Sequence, residues 1–304
     1  MAIATGPRQW PHRMSLTVLQ RRDWFATDGF PIAVERRNPQ QPFGLHAHDF
    51  AEIVIITSGR GIHKAGRETH PLNTGDVFVI GGSRPHDYPS MDQLCLVNIL
   101  YQPEKLELEN QDLPSLPGYH ALFILEPAWR RRHKFNSRLR LNPAELARLL
   151  GLVDQLETEL TQRSQGFRFL ATACFMQIIG YLARCFAHAP NPDSRALLRI
   201  GEAISHLEAH YQAPTNLNQL AALAHMSKRN FMRNFKAAMG NSPIAYLMQL
   251  RVNRAAALLR RPHKSVTEVA FEVGFEDSNY FSRQFKNIIG VTPMQYRKQH
   301  ASLD

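Results

Sequence analysis

Two stretches near the C-terminus, FMRNFKAAMGNSPIAY (Phe231–Tyr246) and FSRQFKNIIGVTPMQY (Phe281–Tyr296), align at an offset of 50, and Phe, Arg, Phe, Lys, Gly, Pro and Tyr recur at the same seven positions. Similarity at a fixed offset means that one supersecondary unit is used twice. Upstream, Leu220 and Ala221 correspond to Val269 and Ala270 once one residue is inserted in the intervening turn. In the first copy, Asn216 with Gln219 three residues on starts a short helix whose inner face is Leu217, Leu220, Ala221 and Ala224. A turn at His225 and Met226 leads to Ser227, the cap of a second helix. That helix turns Phe231 and Phe235 inward and leaves Lys228, Arg229, Met232, Arg233 and Lys236 outside. In the second copy Ser265 and Glu268 form a capping box, Val266, Val269 and Val273 face inward, and Gly274 supplies the turn. Asp277 then caps a helix that buries Phe281, Phe285 and Ile288 and exposes Ser278, Asn279, Ser282, Arg283 and Lys286. Two helices joined by a short turn, with donors and cations on the outer face of the second, match a helix-turn-helix reader of DNA.

Between the copies, Pro243 begins a helix that runs to about Leu259 without Gly or Pro. At about 1.5 Å per residue it spans roughly 25 Å, comparable to one DNA turn of about 34 Å, so both second helices can enter successive major grooves. Charge agrees. The 304-residue chain has a formal net charge of +10, and from Arg195 to Asp304 fifteen Lys and Arg face seven Asp and Glu. The first 194 residues hold twenty-one against nineteen, so the basic character belongs to the C-terminal third and points to a polyanion.

These residues carry a resemblance. The last hundred residues resemble the DNA-binding domain of the AraC/XylS transcription regulators, most specifically through VAFEVGFEDSNYFSRQFKNIIGVTPMQYR, Val269 to Arg297. From about Met14 onward the chain is most similar to the activators of rhamnose catabolism, through HAHDFAEIVII, GIHKAG, LCLVNILY and FEDSNYFSRQF. The resemblance implies a transcription activator, acting on double-stranded promoter DNA as a homodimer and answering to a small sugar such as L-rhamnose. It also implies that acidic positions of the second unit, here Glu268 and Asp277, touch the sigma subunit of RNA polymerase; both residues also have a reading as helix caps.

The N-terminal part follows a different pattern. From about Leu16 to Leu100, short β-branched and aromatic runs (PIAVERR, AEIVIITSG, GIHKAG, GDVFVIGG, LCLVNILY) alternate with Gly, Pro and Asn, which predicts an antiparallel sandwich or small barrel. Tyr101 to Asn142 is irregular, and its run WRRRHKFNSRLR reads as a solvated face. Asn142 and Pro143 open a helix with Leu146, Leu149, Val153, Leu156 and Leu160 on one seam, suited to packing within the chain or against a second subunit. Phe167 to Phe186 is apolar nearly all round, which predicts a helix sandwiched between other elements, and HAPNPDSR (His188–Arg195) reads as the interdomain linker. The expected fold is α+β: a cupin-like effector-binding barrel over 14–125, a helical dimerisation or packing segment over 142–188, and a double helix-turn-helix domain over 195–300.

Within the barrel, His46, His48 and Glu52 form H-x-H-x3-E, and a later Gly-initiated segment ends with Pro85 and His86. This resembles the two motifs of the cupin barrel, in which three His and one Glu converge on a divalent metal. Parity puts His46, His48 and Glu52 on one face of a strand. The set His46, His48, Glu52 and His86 is therefore read as an effector pocket, as a metal-assisted pocket, or as structural histidines; no cofactor is required, and a divalent metal is possible. His63 and His70, on the following hairpin, are expected at the surface. An alternative function is a metal-dependent cupin enzyme fused to a DNA-binding domain, and a third is an architectural DNA binder without effector. No catalytic residues are expected, because neither a nucleophile-base arrangement nor a phosphate-binding Gly loop is present. Three scattered cysteines and an N-terminus without an apolar signal region predict a cytoplasmic protein with no membrane partner.

Overall fold

The computed structural model describes residues 16–66, 68–82, 84–106, 112–129, 138–189, 192–260 and 264–300. The first fifteen residues, with the expected boundary at 14, and most of the Arg-rich run lie outside them. Eight strands form one sheet: β1 (Thr17–Leu19), β2 (Ile32–Arg37), β3 (His46–His48), β4 (Ala51–Ala65), β5 (Glu68–Asn73), β6 (Asp76–Ile80), β7 (His86–Tyr101) and β8 (Leu139–Arg140). The order is β1-β3-β7-β4-β6-β8, with β2 on β7 and β5 on β4; among the described residues only β1 and β3 pair in parallel.

Both faces of the central strands are buried, which explains their continuous apolar runs. Ile53, Ile55, Val77, Val79, Val97 and Ile99 join the core under the helices, whereas Val54, Ile56, Phe78, Ile80, Leu94 and Leu96 pack in the interior of the sheet. Alternate residues of one strand point to opposite faces, so Glu52 shares the interior side with Val54 and Ile56. Asp76, fully buried, accepts from Arg138 Nε at 3.0 Å and Arg140 Nε at 2.8 Å. Two residues of the run expected to be solvated therefore fasten β8 beside β6.

A short α1 (Arg21–Trp24) follows β1, and past β7 the chain enters a continuous helical stretch of α2 (Pro117–Tyr119), a π-helical run His120–Leu125 and α3 (Glu126–Trp129). The capping box of Asn142 and Glu145, with Pro143 in the first turn, starts α4 (Pro143–Gln162), whose seam of Leu146, Leu149, Leu152, Val153 and Leu156 is buried against α5 (Phe167–Ala187). By length and composition α5 is apolar enough to cross a membrane; here it buries Ala171, Phe175, Ile178, Ile179, Leu182, Ala183 and Phe186 on one side, as a core helix does. It packs between α4 and α2, as expected, except at its first turns. Phe169 is 77% exposed and Leu170 45%, because nothing among the described residues covers the outer face of its first turns.

The expected linker is shorter than read, since α6 (Pro192–Ala209) already begins at Pro192 and buries Ser194. Then follow α7 (Leu217–Leu223), α8 (Lys228–Met239), α9 (Pro243–Leu259), α10 (Val266–Glu272), α11 (Ser278–Ile289) and α12 (Pro293–His300). Two cores result. One runs without a break from the sheet through α4, α5 and α6 to Leu220, Phe231 and Phe235; the other gathers Val252, Val269, Val273, Phe281, Phe285 and Tyr296.

Candidate functional site

The interior pocket is assembled from β3, β4 and β7. His46 pairs with His86 across β3 and β7, and Glu52 stands on β4 beside β7. All four expected residues are buried, and the ring centroids of His46 and His86 lie 4.1 Å apart, those of His48 and His86 5.2 Å. Each of the three imidazoles is held through Nδ1 by a main-chain carbonyl: His46 by Gly44 at 2.9 Å, His48 by Phe50 at 2.6 Å, His86 by Arg84 at 3.1 Å. Donation from Nδ1–H leaves the Nε2 lone pair facing the pocket, the arrangement used to present a ligand-binding nitrogen.

His48 Nε2 lies at ion-pair distance from Glu52 Oε2, 3.2 Å, and His86 Nε2 is 3.8 Å from the same oxygen, too far for a hydrogen bond; neither nitrogen makes a hydrogen bond among the described residues. Burial pushes His86 well below the usual histidine range, and the neighbouring imidazoles His46, His63 and His48 add to this. Burial also lowers His46. For His48 burial is outweighed by the Glu52 carboxylate, and its pKa is raised. His48, Glu52 and His86 place one donor atom each within 4.8 Å of one another, a set that fits a divalent metal by both chemistry and orphaned nitrogens.

His63 corrects an expectation. It is 1% exposed, its ring 5.7 Å from His86, 5.4 Å from Tyr88 and 5.1 Å from Phe78. His70, its cross-strand partner, is buried too. Strict alternation from Glu52 puts an odd-numbered residue on the outer face, but β4 is bulged against β7 between Ile56 and Arg60, with Gly59 at φ +73°. The bulge shifts the alternation, and the Gly inside a strand was its signal. Trp24, Phe43, Phe50, Tyr88, Asn98, Glu35 and Arg37 complete the lining, and Asn98 Oδ1 is another buried acceptor without a hydrogen-bond partner among the described residues. The cavity is narrow, ≈ 40 Å³. A wider hollow at Gly59, Arg60, Asn73 and Asp92 is open to solvent and holds no comparable cluster.

On the repeated units, Ser227 and Asp277 cap α8 and α11, accepting from the amides of Asn230 and Tyr280. Phe231, Phe235, Phe281 and Phe285 are fully buried, which turns Lys228, Arg229, Arg233 and Lys236 outward on α8 and Asn279, Arg283 and Lys286 on α11. Met232, Ser278 and Ser282 are half-buried, and Ser282 Oγ is occupied by the carbonyl of Ser278 at 2.9 Å. Two unanticipated neighbours orient the matched arginines. Arg233 donates to Asn230 Oδ1 at 2.8 Å, and Arg283 sits 6.0 Å from the ring of Tyr280. Glu268 closes the Ser265 capping box, accepting from the Ser265 amide at 2.6 Å, which holds its carboxyl below the usual range.

Comparison with known proteins agrees with both halves. Residues 31–179 match the model of the AraC-like ligand binding domain and residues 220–299 that of a helix-turn-helix domain. The HTH-type transcriptional activator RhaR of Mannheimia succiniciproducens is 35% identical over 284 residues, covering 92% of this chain and 96% of the relative. RhaR of Escherichia coli (strain K12) is 32% identical over 287 residues, covering 94% and 98%. An AraC-type regulator of known structure from Chromobacterium violaceum is 32% identical over 35% of this chain and 95% of its own, with a TM-score of 0.33. With a β-sheet ligand-binding domain followed by helix-turn-helix units, the chain belongs to the AraC family of DNA-binding transcription activators, and not to a family of enzymes.

Proposed function

We propose that the barrel binds a small polyhydroxylated sugar, of the L-rhamnose class, and that occupancy changes how the two helix-turn-helix units engage promoter DNA. One observation carries the pocket's part: the buried acceptors His86 Nε2 and Asn98 Oδ1, with the His48–Glu52 pair beside them, converge on a pocket walled by Trp24, Phe43, Phe50 and Tyr88. Buried acceptors without donors are costly, and sugar hydroxyls supply donors while the rings cover the sugar's apolar face. The resemblance to activators of rhamnose catabolism narrows the class. At ≈ 40 Å³ the present cavity is well below the roughly 300 to 1,000 Å³ of ligand pockets, so the reading requires its lining to open when a sugar enters.

The same nitrogens support a metal-assisted form of this reading. His48, Glu52 and His86, with His46 beside them, would hold a divalent ion, which when bound supplies a Lewis acid that orients hydroxyl oxygens. For DNA the reading assigns phosphate and base contacts to Lys228, Arg229, Met232, Arg233 and Lys236 on α8 and Ser278, Asn279, Ser282, Arg283 and Lys286 on α11. Glu268 and Asp277 are assigned to the sigma subunit besides their capping roles. The divisions 14–125, 142–188 and 195–300 serve as effector barrel, dimerisation segment and reader of a cytoplasmic homodimer.

The test measures affinity of the full chain for its DNA site with and without a panel of sugars that includes L-rhamnose, before and after chelation, alongside elemental analysis of the purified protein. A sugar that shifts DNA affinity supports the reading, and stoichiometric Mn, Fe or Zn whose removal abolishes the shift supports the metal-assisted form. DNA affinity indifferent to every sugar refutes it.

A further inference from the structure

His86, on the pocket side, and α3, on the side of the DNA-binding units, meet at one residue. The main-chain carbonyl of Arg84 accepts from His86 Nδ1 at 3.1 Å, while the Arg84 guanidinium donates through Nη1 to the carbonyl of Pro127 at 3.3 Å. Pro127 belongs to α3, which packs on β6 to one side and on α8 to the other. At this junction Glu126 is fully buried, and the core is continuous from the sheet to Phe231 and Phe235 of α8. The core of the second unit lies apart. A ligand that draws on His86 Nε2 therefore acts on a ring whose opposite nitrogen is tied to the main chain of Arg84.

We propose that Arg84 is a positioning residue that passes occupancy of the pocket to α8 and thus to the first helix-turn-helix unit only. The physical case rests on both bonds belonging to one residue: a displacement of the His86 ring moves the Arg84 main chain, and with it the guanidinium held to Pro127. α3 packs on α8, and packed interfaces answer displacement by discrete rearrangement rather than by continuous deformation. The inference rests on the reading of the pocket as an effector site.

Arg84→Ala removes the bond to Pro127 and keeps the carbonyl that orients His86. The probe is L-rhamnose, and the DNA is a site selected by the full chain from a randomised pool. The quantity read is the ratio of DNA affinities with and without sugar, typically about 5 to 150-fold in coupled systems. Arg84→Ala brings that ratio to within about twofold of one, with rhamnose affinity and sugar-free DNA affinity retained, and Arg84→Lys restores part of it. A ratio unchanged in Arg84→Ala overturns the proposal. If the wild type binds no rhamnose, the sugar reading fails by itself, and Arg84 is judged by amide hydrogen exchange without ligand. Arg84→Ala then speeds exchange in α3 and α8 and leaves α11 as it was, whereas equal exchange in α8 of the two proteins overturns the assignment.

Discussion

Gly59 decides where His63 points. Its φ of +73° is open to glycine and strained for other residues, and a Cβ there would stand 2.0 Å from the Gln93 carbonyl oxygen across the bulge. Gly59→Ala is expected to cost about 2 to 4 kcal/mol, from positive φ and an overpacked backbone contact together. Urea denaturation measures it, and a loss below about 0.5 kcal/mol would mean the bulge relaxes freely. Residue identities were otherwise readable in proportion to their local rules. The caps Asn142, Ser227, Ser265 and Asp277 form as their side-chain chemistry requires, each accepting from the amide three residues on. The cluster of His46, His48, Glu52 and His86 was legible through its resemblance to the cupin motifs and not through parity along one strand, since His46 and His48 stand on β3 and Glu52 on β4. His63 was not, since the register shifts of β4 against β7 between Ile56 and Arg60 reverse the facing of the residues that follow.

At the scale of elements, α8 and α11 carry the same arginine in corresponding places with different supports. Asn230 holds Arg233 by a hydrogen bond, and Tyr280 lies under Arg283. If both read bases, Arg233→Ala and Arg283→Ala each weaken binding to the DNA site by about 1 to 3 kcal/mol and relax specificity at different positions. Phosphate contact instead gives a loss uniform across sequences and a shallower salt slope, which a titration of both variants against matched and mismatched DNA separates. The π-helical run His120–Leu125 had no sequence signal, because its geometry answers to the packing of α6 and β6 around it. Within it His120 is buried, its Nε2–H donating to the Pro114 carbonyl at 2.6 Å, and burial lowers its pKa to about 4. Because the folded pKa lies below the unfolded value, the unfolded chain binds more protons between about pH 6.5 and 4, and stability falls as pH falls through that window. The loss from this group approaches about 3 kcal/mol at pH 4. His120→Gln should flatten that part of the pH-stability profile, and an equally steep profile in the variant would assign the loss to other groups.

The whole molecule has a division that no stretch of sequence announces. The repeat makes the two helix-turn-helix units look equivalent, yet the first shares its core with the sheet and α4 to α6, and the second keeps its own. Burial against distant elements sets this, through contacts of α6 and the π-helical run that lie far apart in sequence. The seam between units is the loop at Tyr211, which packs against both cores. Buried Arg251 donates to the carbonyls of Tyr211 at 2.6 Å and Ala213 at 2.9 Å, and the Gln212 carbonyl comes so near Gly274 that a Cβ there would meet it at 2.4 Å. A continuous core unfolds together, while a core joined at a seam opens by itself. Phe231 and Phe281 occupy corresponding positions of the repeat and are both fully buried, so truncating either removes a similar volume, at about 3 to 5 kcal/mol. The consequences differ. Phe281→Ala should raise amide exchange over α10 to α12 and leave β4 and β7 protected, whereas Phe231→Ala should lower protection through α6 and into the sheet. If Phe281→Ala exposes β4 and β7 as much as Phe231→Ala does, the two cores behave as one cooperative unit, and an effector in the barrel would act on both units alike.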